Sequence, residues 1–428
     1  MPFEHSPPCR RIAIVGAGIS GMAAAHLLAR DNGVTLIEAA PRLGGHARTV
    51  LAGKRGDQPV DTGFIVFNRV NYPNLCRLFA ELDVPVTESD MSFGASIDGG
   101  RFEFGFKNLR AVFSQKRRIA DPRYWGMIRD IFRFNARALA SADRPDMTIG
   151  ELLAKLGTGE WFRDFYITPL SGAIWSTPTR GILDFPAGAL LRFFDNHALL
   201  STTGQHQWYT VQGGSIEYVR RLEASLRARG VSIRTNAPVA GITRAPAPKL
   251  RCEGGEWESF DEVILATHSD DALALLSDPR PREHAALSRI RYQPNEAILH
   301  ADATVMPRRK SAWASWVYTE DRNTTARDRI GLTYWMNALQ PIPKDDPLFV
   351  TLNPNRPIRD DLIHDRVTFR HPFYDLAALE GQRMVRALNG ANGTWFCGAW
   401  MHNGFHEDGF ASAIDVAKAL IARERMAA

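Results

Sequence analysis

The sequence predicts an α/β protein of two domains, one doubly wound about a parallel sheet and the other α+β. Three observations carry that expectation. Near the start of the 428-residue chain a glycine turn separates an apolar run from an alanine-rich segment. From Gly99 to about Leu200 aromatic and basic side chains crowd together, and from about Ile290 short runs alternate apolar and polar residues. A chain this long exceeds one comfortable core, so two domains are expected.

The first unit reads Ile12-Ala13-Ile14-Val15, then Gly16-Ala17-Gly18-Ile19-Ser20-Gly21, then a helix through Arg30. A second apolar run, Val34-Thr35-Leu36-Ile37, ends on Glu38. Strand, glycine turn, helix and strand with a terminal acid form the dinucleotide fingerprint. Gly16 makes the tight turn, Gly18 lets backbone approach a pyrophosphate, and Gly21 lets helix pack on strand. Amides opening the helix, with Ile19 and Ser20 in its first turn, favour the phosphates electrostatically. Glu38, 17 residues beyond Gly21, is placed to accept both ribose hydroxyls. The motif alone leaves NAD and FAD both open.

The next residues are Ala39-Ala40-Pro41-Arg42-Leu43-Gly44-Gly45-His46-Ala47-Arg48-Thr49. Here the chain resembles the two-dinucleotide-binding-domain flavoproteins: amine oxidases, protoporphyrinogen oxidases and phytoene desaturases. The resemblance implies that the acid, Arg42 and the Gly44-Gly45 pair carry FAD inward from its pyrophosphate. His46 replaces a customary arginine, as in the desaturase-like branch; a role beside the flavin and a plain polar turn both stand. The implied fold is a glutathione-reductase-like FAD-binding Rossmann domain with an α+β substrate domain, a mixed antiparallel sheet plus a helical cap. Residues 10–98, 205–289 and 390–428 are expected in the first, 99–204 and 290–389 in the second.

Composition bounds the partners. Hydrophobic content of 45% and charge of 23% suit a globular protein, and a net charge of +5 is mild. Nothing before Arg11 reads as a signal peptide, and no run reaches the roughly 18 apolar residues of a membrane span. The four cysteines (Cys9, Cys76, Cys252, Cys397) lack paired or metal-ligand spacing, so a cytoplasmic setting is expected and no metal or nucleic acid.

Along the chain, Asp61 to Asn68 resembles an acid-x-Gly segment returning to the flavin, where Gly63 admits backbone; a buried strand after a turn is the alternative. Tyr72 to Leu82 has helical apolar spacing. Pro122 to Ala140 reads as an amphipathic helix with Ile128, Ile131, Phe132 and Leu139 on one side, among interleaved arginines. Such a helix either lies peripherally on the inner membrane face or packs on its own domain with solvated arginines. Trp161 to Pro178 resembles a family segment, Phe-x6-Pro-Leu, that walls the substrate site. Gln212-Gly213-Gly214 turns the chain back toward the cofactor, and the resemblance puts backbone near Val239 on the adenine and Thr267 by the phosphates. The strands after Ile290 form the substrate-domain floor. The place of the amine oxidases' lysine falls near Asn295-Glu296, with no lysine there, which counts against amine chemistry. His300, His364 and His371 read as core or surface histidines.

The closing stretch, Thr394 to Trp400 and Gly404 to Ile414, resembles the family's final strand, glycine loop and helix. Gly398, Gly409 and Ala413 would direct amides at the flavin pyrimidine, and Phe410 would take the aromatic place of the substrate cage. His406 and Glu407, beside Asp408, read either as acid–base groups or as helix caps and loop anchors. Cys397 lies in a strand, so FAD is expected to be non-covalent. No second fingerprint suggests a separate NAD(P)H site.

The reading is thus an FAD-dependent oxidoreductase of lipid metabolism. It would remove a hydride from carbon on a lipophilic substrate, an unsaturated or branched acyl chain or an isoprenoid. His406 or Glu407 would take a proton, and dioxygen or a quinone would reoxidise the flavin. A flavin amine or amino-acid oxidase is the alternative, and a non-enzymatic FAD-binding partner of a lipid-modifying complex the second.

Overall fold

The computed structural model describes residues 10–144, 146–175, 179–200, 204–320 and 331–427. Five parallel strands form the first sheet, in the order Ser232–Arg234, Gly33–Ile37, Arg11–Val15, Glu262–Leu265, Thr394–Phe396. The central strand is buried from Ile12 to Val15, as a parallel strand covered on both faces must be. The fingerprint helix, Ile19–Leu28, is apolar on all sides, since the sheet covers one face and the C-terminal helix His406–Ala427 packs on another. Helix Ile216–Ala228 completes that layer, with Tyr218, Val219, Leu222 and Leu226 inward.

The second sheet has seven strands, ordered Ile363–Phe373, Arg291–His300, Phe349–Leu352, Gly331–Trp335, Trp316–Glu320, Phe93–Ile97, Phe102–Gly105. It is antiparallel except where Phe93–Ile97 runs alongside Trp316–Glu320. Helices between 122 and 196 cover it, and their aromatic side chains form the largest core cluster with the sheet's inner face.

Two expected boundaries move. Phe93–Ile97 hydrogen-bonds into the second sheet, so residues 93–98 leave the cofactor domain. Helix Leu376–Leu388 buries Ala378 and Val385 among Val263, Leu265 and Phe396, so it belongs with the first sheet rather than the substrate domain. The Pro122–Ser141 helix forms as expected, but its apolar residues split between faces. Ile131 packs inward, whereas Phe132 and Leu139 face solvent. The end of the Trp161–Pro178 segment lies outside the described residues, as does Cys9.

Candidate functional site: a glycine cradle and a neutral ring wall

The strand tips, both helix starts and the cap meet at one end of the parallel sheet. Gly44 N donates to Ala17 O at 2.8 Å, bringing the Gly44-Gly45 turn onto the fingerprint turn. A Cβ on Gly45, at φ +54°, would come within 3.0 Å of Gly18 Cα, so Gly45 must be bare for this contact. A Cβ on Gly21 would lie 1.8 Å from Gly16 O. A Cβ on Gly18, by contrast, would meet nothing closer than 4.0 Å, so the space beside that backbone is open. No side chain caps the helix that begins at Ile19, and its first turn carries no acid. Open space beside uncapped amides fits a pyrophosphate.

Glu38 is fixed at the adjoining strand tip, its Oε2 accepting from Ala17 N at 2.7 Å and its Oε1 from Ala40 N at 2.9 Å. A carboxylate oxygen has lone pairs beyond one bond, so ribose hydroxyls can still be accepted. Ala237 N donates to Glu38 O, which brings the loop before Val239 to the same tip. Thr267 lies behind Gly16, its Cγ2 3.3 Å from the position of a Gly16 Cβ. Arg42 differs from expectation: its guanidinium donates to Leu43 O, Gly45 O and Ala47 O. It shapes the glycine turn from behind, which a planar five-donor group does well.

The C-terminal helix approaches the same turn. A Cβ on Gly409 would be 2.8 Å from Ile19 Cγ2 and from Ser20 Oγ, so the first turns of the two helices are in contact. Gly398 N donates to Ser412 Oγ at 2.9 Å, tying the last strand to that helix, and Ala413 is fully buried beside it. Phe410 is not a cage aromatic: it is buried in the cluster holding Met22, Phe79 and Tyr218. Phe405, which the sequence reading passed over, stacks instead on Phe193 of the cap at 4.8 Å.

The expected catalytic pair separates. Both oxygens of Glu407 cap the helix Pro73–Glu81, accepting from Asn74 N and Leu75 N at 3.0 Å and from Asn74 Nδ2 at 2.6 Å. That corrects its proposed role as a base; the capping reading holds. Asp408 Oδ2 accepts from Phe405 N at 2.9 Å, and burial pushes its carboxyl up to about 7. His406 stacks on Phe64 at 3.9 Å, with Nε2 2.5 Å from the Tyr218 hydroxyl.

A feature with no sequence signal lies next to these groups. His46 is half-buried against Phe369, ring centroids 4.9 Å apart, with His268 and His371, also half-buried, each 5.8 Å away. His46 O also accepts from Phe64 N, and a Cβ on Gly63 would overlap it, at 1.9 Å. Burial drives His46 down to about 4, helped by the nearby Arg42 charge. Burial and His46 together lower His371 and His406 to about 3, and burial, His46 and Arg370 lower His268 to about 3. All four rings are therefore neutral near pH 7. Asn295 stands where a lysine was sought; its Nδ2 is 2.7 Å from His371 Nδ1 and its Oδ1 accepts from Asn353 at 2.7 Å. His268, Asp270 and Asp271 come close enough to suggest a metal site, but Arg370 bonds all three, so a guanidinium already neutralises the carboxylates. His300, as expected, is a satisfied core histidine on Thr351 Oγ1.

Together these features define an α/β fold in which a dinucleotide cradle on the parallel sheet meets the domain of the seven-stranded sheet. Residues 19–352 match the family of flavin containing amine oxidoreductases, and the chain belongs to that family. Hydroxyneurosporene desaturase from Rubrivivax gelatinosus is 26% identical over 312 residues, 66% of this chain and 58% of the relative. The chain thus aligns with under two thirds of that relative's length. Among solved structures, the CLA-producing fatty acid isomerase from P. acnes superposes with TM-score 0.68 at 17% identity, covering 97% of this chain and 98% of its own. A putative protoporphyrinogen oxidase from Exiguobacterium sp. 255-15 gives 0.67 at 18%, covering 97% and 99%. Cyclohexylamine oxidase from Brevibacterium oxydans IH-35A gives 0.69 at 13%, covering 97% and 100%. These structures share the fold.

Proposed function

We propose that the chain catalyses a desaturase- or dehydrogenase-like reaction, in which a lipophilic substrate loses a hydride from carbon. The observation that carries this reading is the neutral wall of His46, His268, Phe369, His371 and Asn295. A substrate ammonium would find no fixed charge on these side chains, whereas an acyl or isoprenoid chain requires none. The name of the hydroxyneurosporene desaturase agrees with that choice.

FAD, held non-covalently, supplies the hydride acceptor. The turn Gly16–Gly21 with Gly44-Gly45 would hold its pyrophosphate, Glu38 the ribose and backbone near Val239 the adenine. Gly398 and Gly409–Ala413 would hold the pyrimidine end. Cys397 is buried, its thiol pushed up to about 12, which disfavours a covalent link. His406 and the Tyr218 hydroxyl are the proton-carrying pair at this end, and the Phe64 and Phe193–Phe405 stacks exclude water. Dioxygen or a quinone is the electron acceptor, and the setting is cytoplasmic with a peripheral membrane contact; no described helix is long and apolar enough to cross a membrane.

The test is anaerobic mixing of the yellow holoprotein with lipids extracted from it and, separately, with a panel of amines. Loss of visible flavin absorbance with a lipid and none with amines is expected. Bleaching by amines alone would establish the amine oxidase reading instead.

A further inference from the structure

The helix Pro122–Ser141 is apolar on two sides, and the fold covers one. Tyr124, Met127, Ile131, Phe134 and Ala138 enter the aromatic core. On the other side Trp125, Phe132, Ala136 and Leu139 fall within a stripe of roughly 60°, at 100° per residue. Trp125 is 48% exposed, Phe132 56% and Leu139 47%. The stripe continues into the preceding turn, because Trp125 Nε1 donates to Ile119 O, and Ile119 is 53% exposed. Six of the eleven large apolar side chains exposed among the described residues lie between 106 and 139, too local a concentration for ordinary surface scatter.

Charge is concentrated on the same segment. Residues 106–140 hold nine Lys and Arg against two Asp, a net +7, whereas the whole chain carries +5. The remaining residues are therefore net −2. Arg129, Arg133 and Arg137, spaced by four, run along one border of the stripe. Beside it, Arg117 and Arg118 both donate to Arg101 O and line a hollow with Asp121. Both acids already have partners: Asp121 pairs with Arg118 and Arg123, and Asp130 accepts from Gly159 N.

We infer that this face docks on a bilayer surface containing anionic phospholipid, with the apolar stripe at the level of the acyl-chain boundary and the basic border on the phosphates. Two copies of the chain meeting here would oppose +7 with +7, so a negatively charged apolar partner is favoured over self-association. The assignment draws its purpose from the lipophilic-substrate reading, since the core under this helix is the one that reaches Phe193 at the flavin end. Its chemistry rests on the surface.

The holoprotein should co-sediment with phosphatidylcholine vesicles containing about a third phosphatidylglycerol, and hardly with phosphatidylcholine alone. High salt should weaken the binding. The triple variant Arg110→Gln, Lys116→Gln, Arg137→Gln should lower partitioning roughly a hundredfold, about fivefold per removed positive charge. Phe132→Ser with Leu139→Ser should weaken binding at low salt as well, with bound flavin and melting temperature unchanged. Equal binding to both vesicles, no binding, a dimer broken by the serine variants, or equal affinity for a single-stranded oligonucleotide would each overturn the inference. None of these readouts depends on turnover, so a wrong substrate class leaves the result intact.

Discussion

The two ends of the proposed cofactor site are built from different materials. The phosphate end is backbone: Gly16 to Gly21 against Gly44-Gly45, within 30 residues of each other. The chemical end is side chains: His46, His268, Asn295, Phe369, His371 and His406, drawn from across the chain. Backbone recognition depends on what is missing, a Cβ, and so leaves a mark at fixed spacing. The ring wall depends on which strands come to lie side by side.

Substituting Gly18 tests the contrast hardest. Gly18→Val has room to fold, yet its side chain would occupy the space beside the uncapped amides. FAD affinity should fall on the order of a hundredfold or more, with the apoprotein's melting temperature little changed. A protein that stays yellow would mean the open space lies elsewhere.

The ring wall should show itself in acid. The four histidines have folded-state pKa values of about 3 to 4, below the ordinary 6.5, so the unfolded chain binds protons that the folded one refuses. Stability should therefore be lost as pH falls from about 6.5 toward 4, at about 1.4 kcal/mol per pH unit for each group. Asp61 and Asp408, raised by burial to about 6 and about 7, act oppositely: their contribution is present below about 4 and disappears as pH rises through those values. His197 and His300 are likewise held at about 4, so six groups oppose two; denaturation midpoints should fall with acid, and His46→Asn should flatten the slope. A midpoint that rose between pH 6.5 and 4 would show that the rings are solvated.

Smaller effects sharpen the picture. Asn295→Ala removes the amide that holds the His371 ring and accepts from Asn353 Nδ2, and should cost about 1–3 kcal/mol. Glu407→Gln should cost about 1 kcal/mol in chemical denaturation while leaving flavin reduction by substrate at its normal rate, as expected of a cap. A slowed reduction with unchanged stability would restore Glu407 as a catalytic group.

The glycine fingerprint, the acid at Glu38 and the closing helix were legible because each is set by local backbone need. His46 could be seen but not interpreted, since its neighbours come from residues 268, 369 and 371, and no spacing links them. Glu407 looked like chemistry because titratable residues cluster there; its duty became visible only when Pro73–Glu81 arrived at its carboxylate. Phe93–Ile97 has an apolar pattern that suits either sheet, so its membership needed the register to settle it. On Pro122–Ser141 the period was readable, but with apolar residues on two sides nothing local says which side faces in.

The parallel sheet is sewn from three distant lengths of chain, residues 11–37, 232–265 and 394–396, the last of them Thr394–Phe396. A nascent polypeptide therefore holds an incomplete receptacle until Thr394–Phe396 has left the ribosome. Flavin capture waits for that strand, and translation products interrupted before it should emerge colourless however well their first fifty residues have folded.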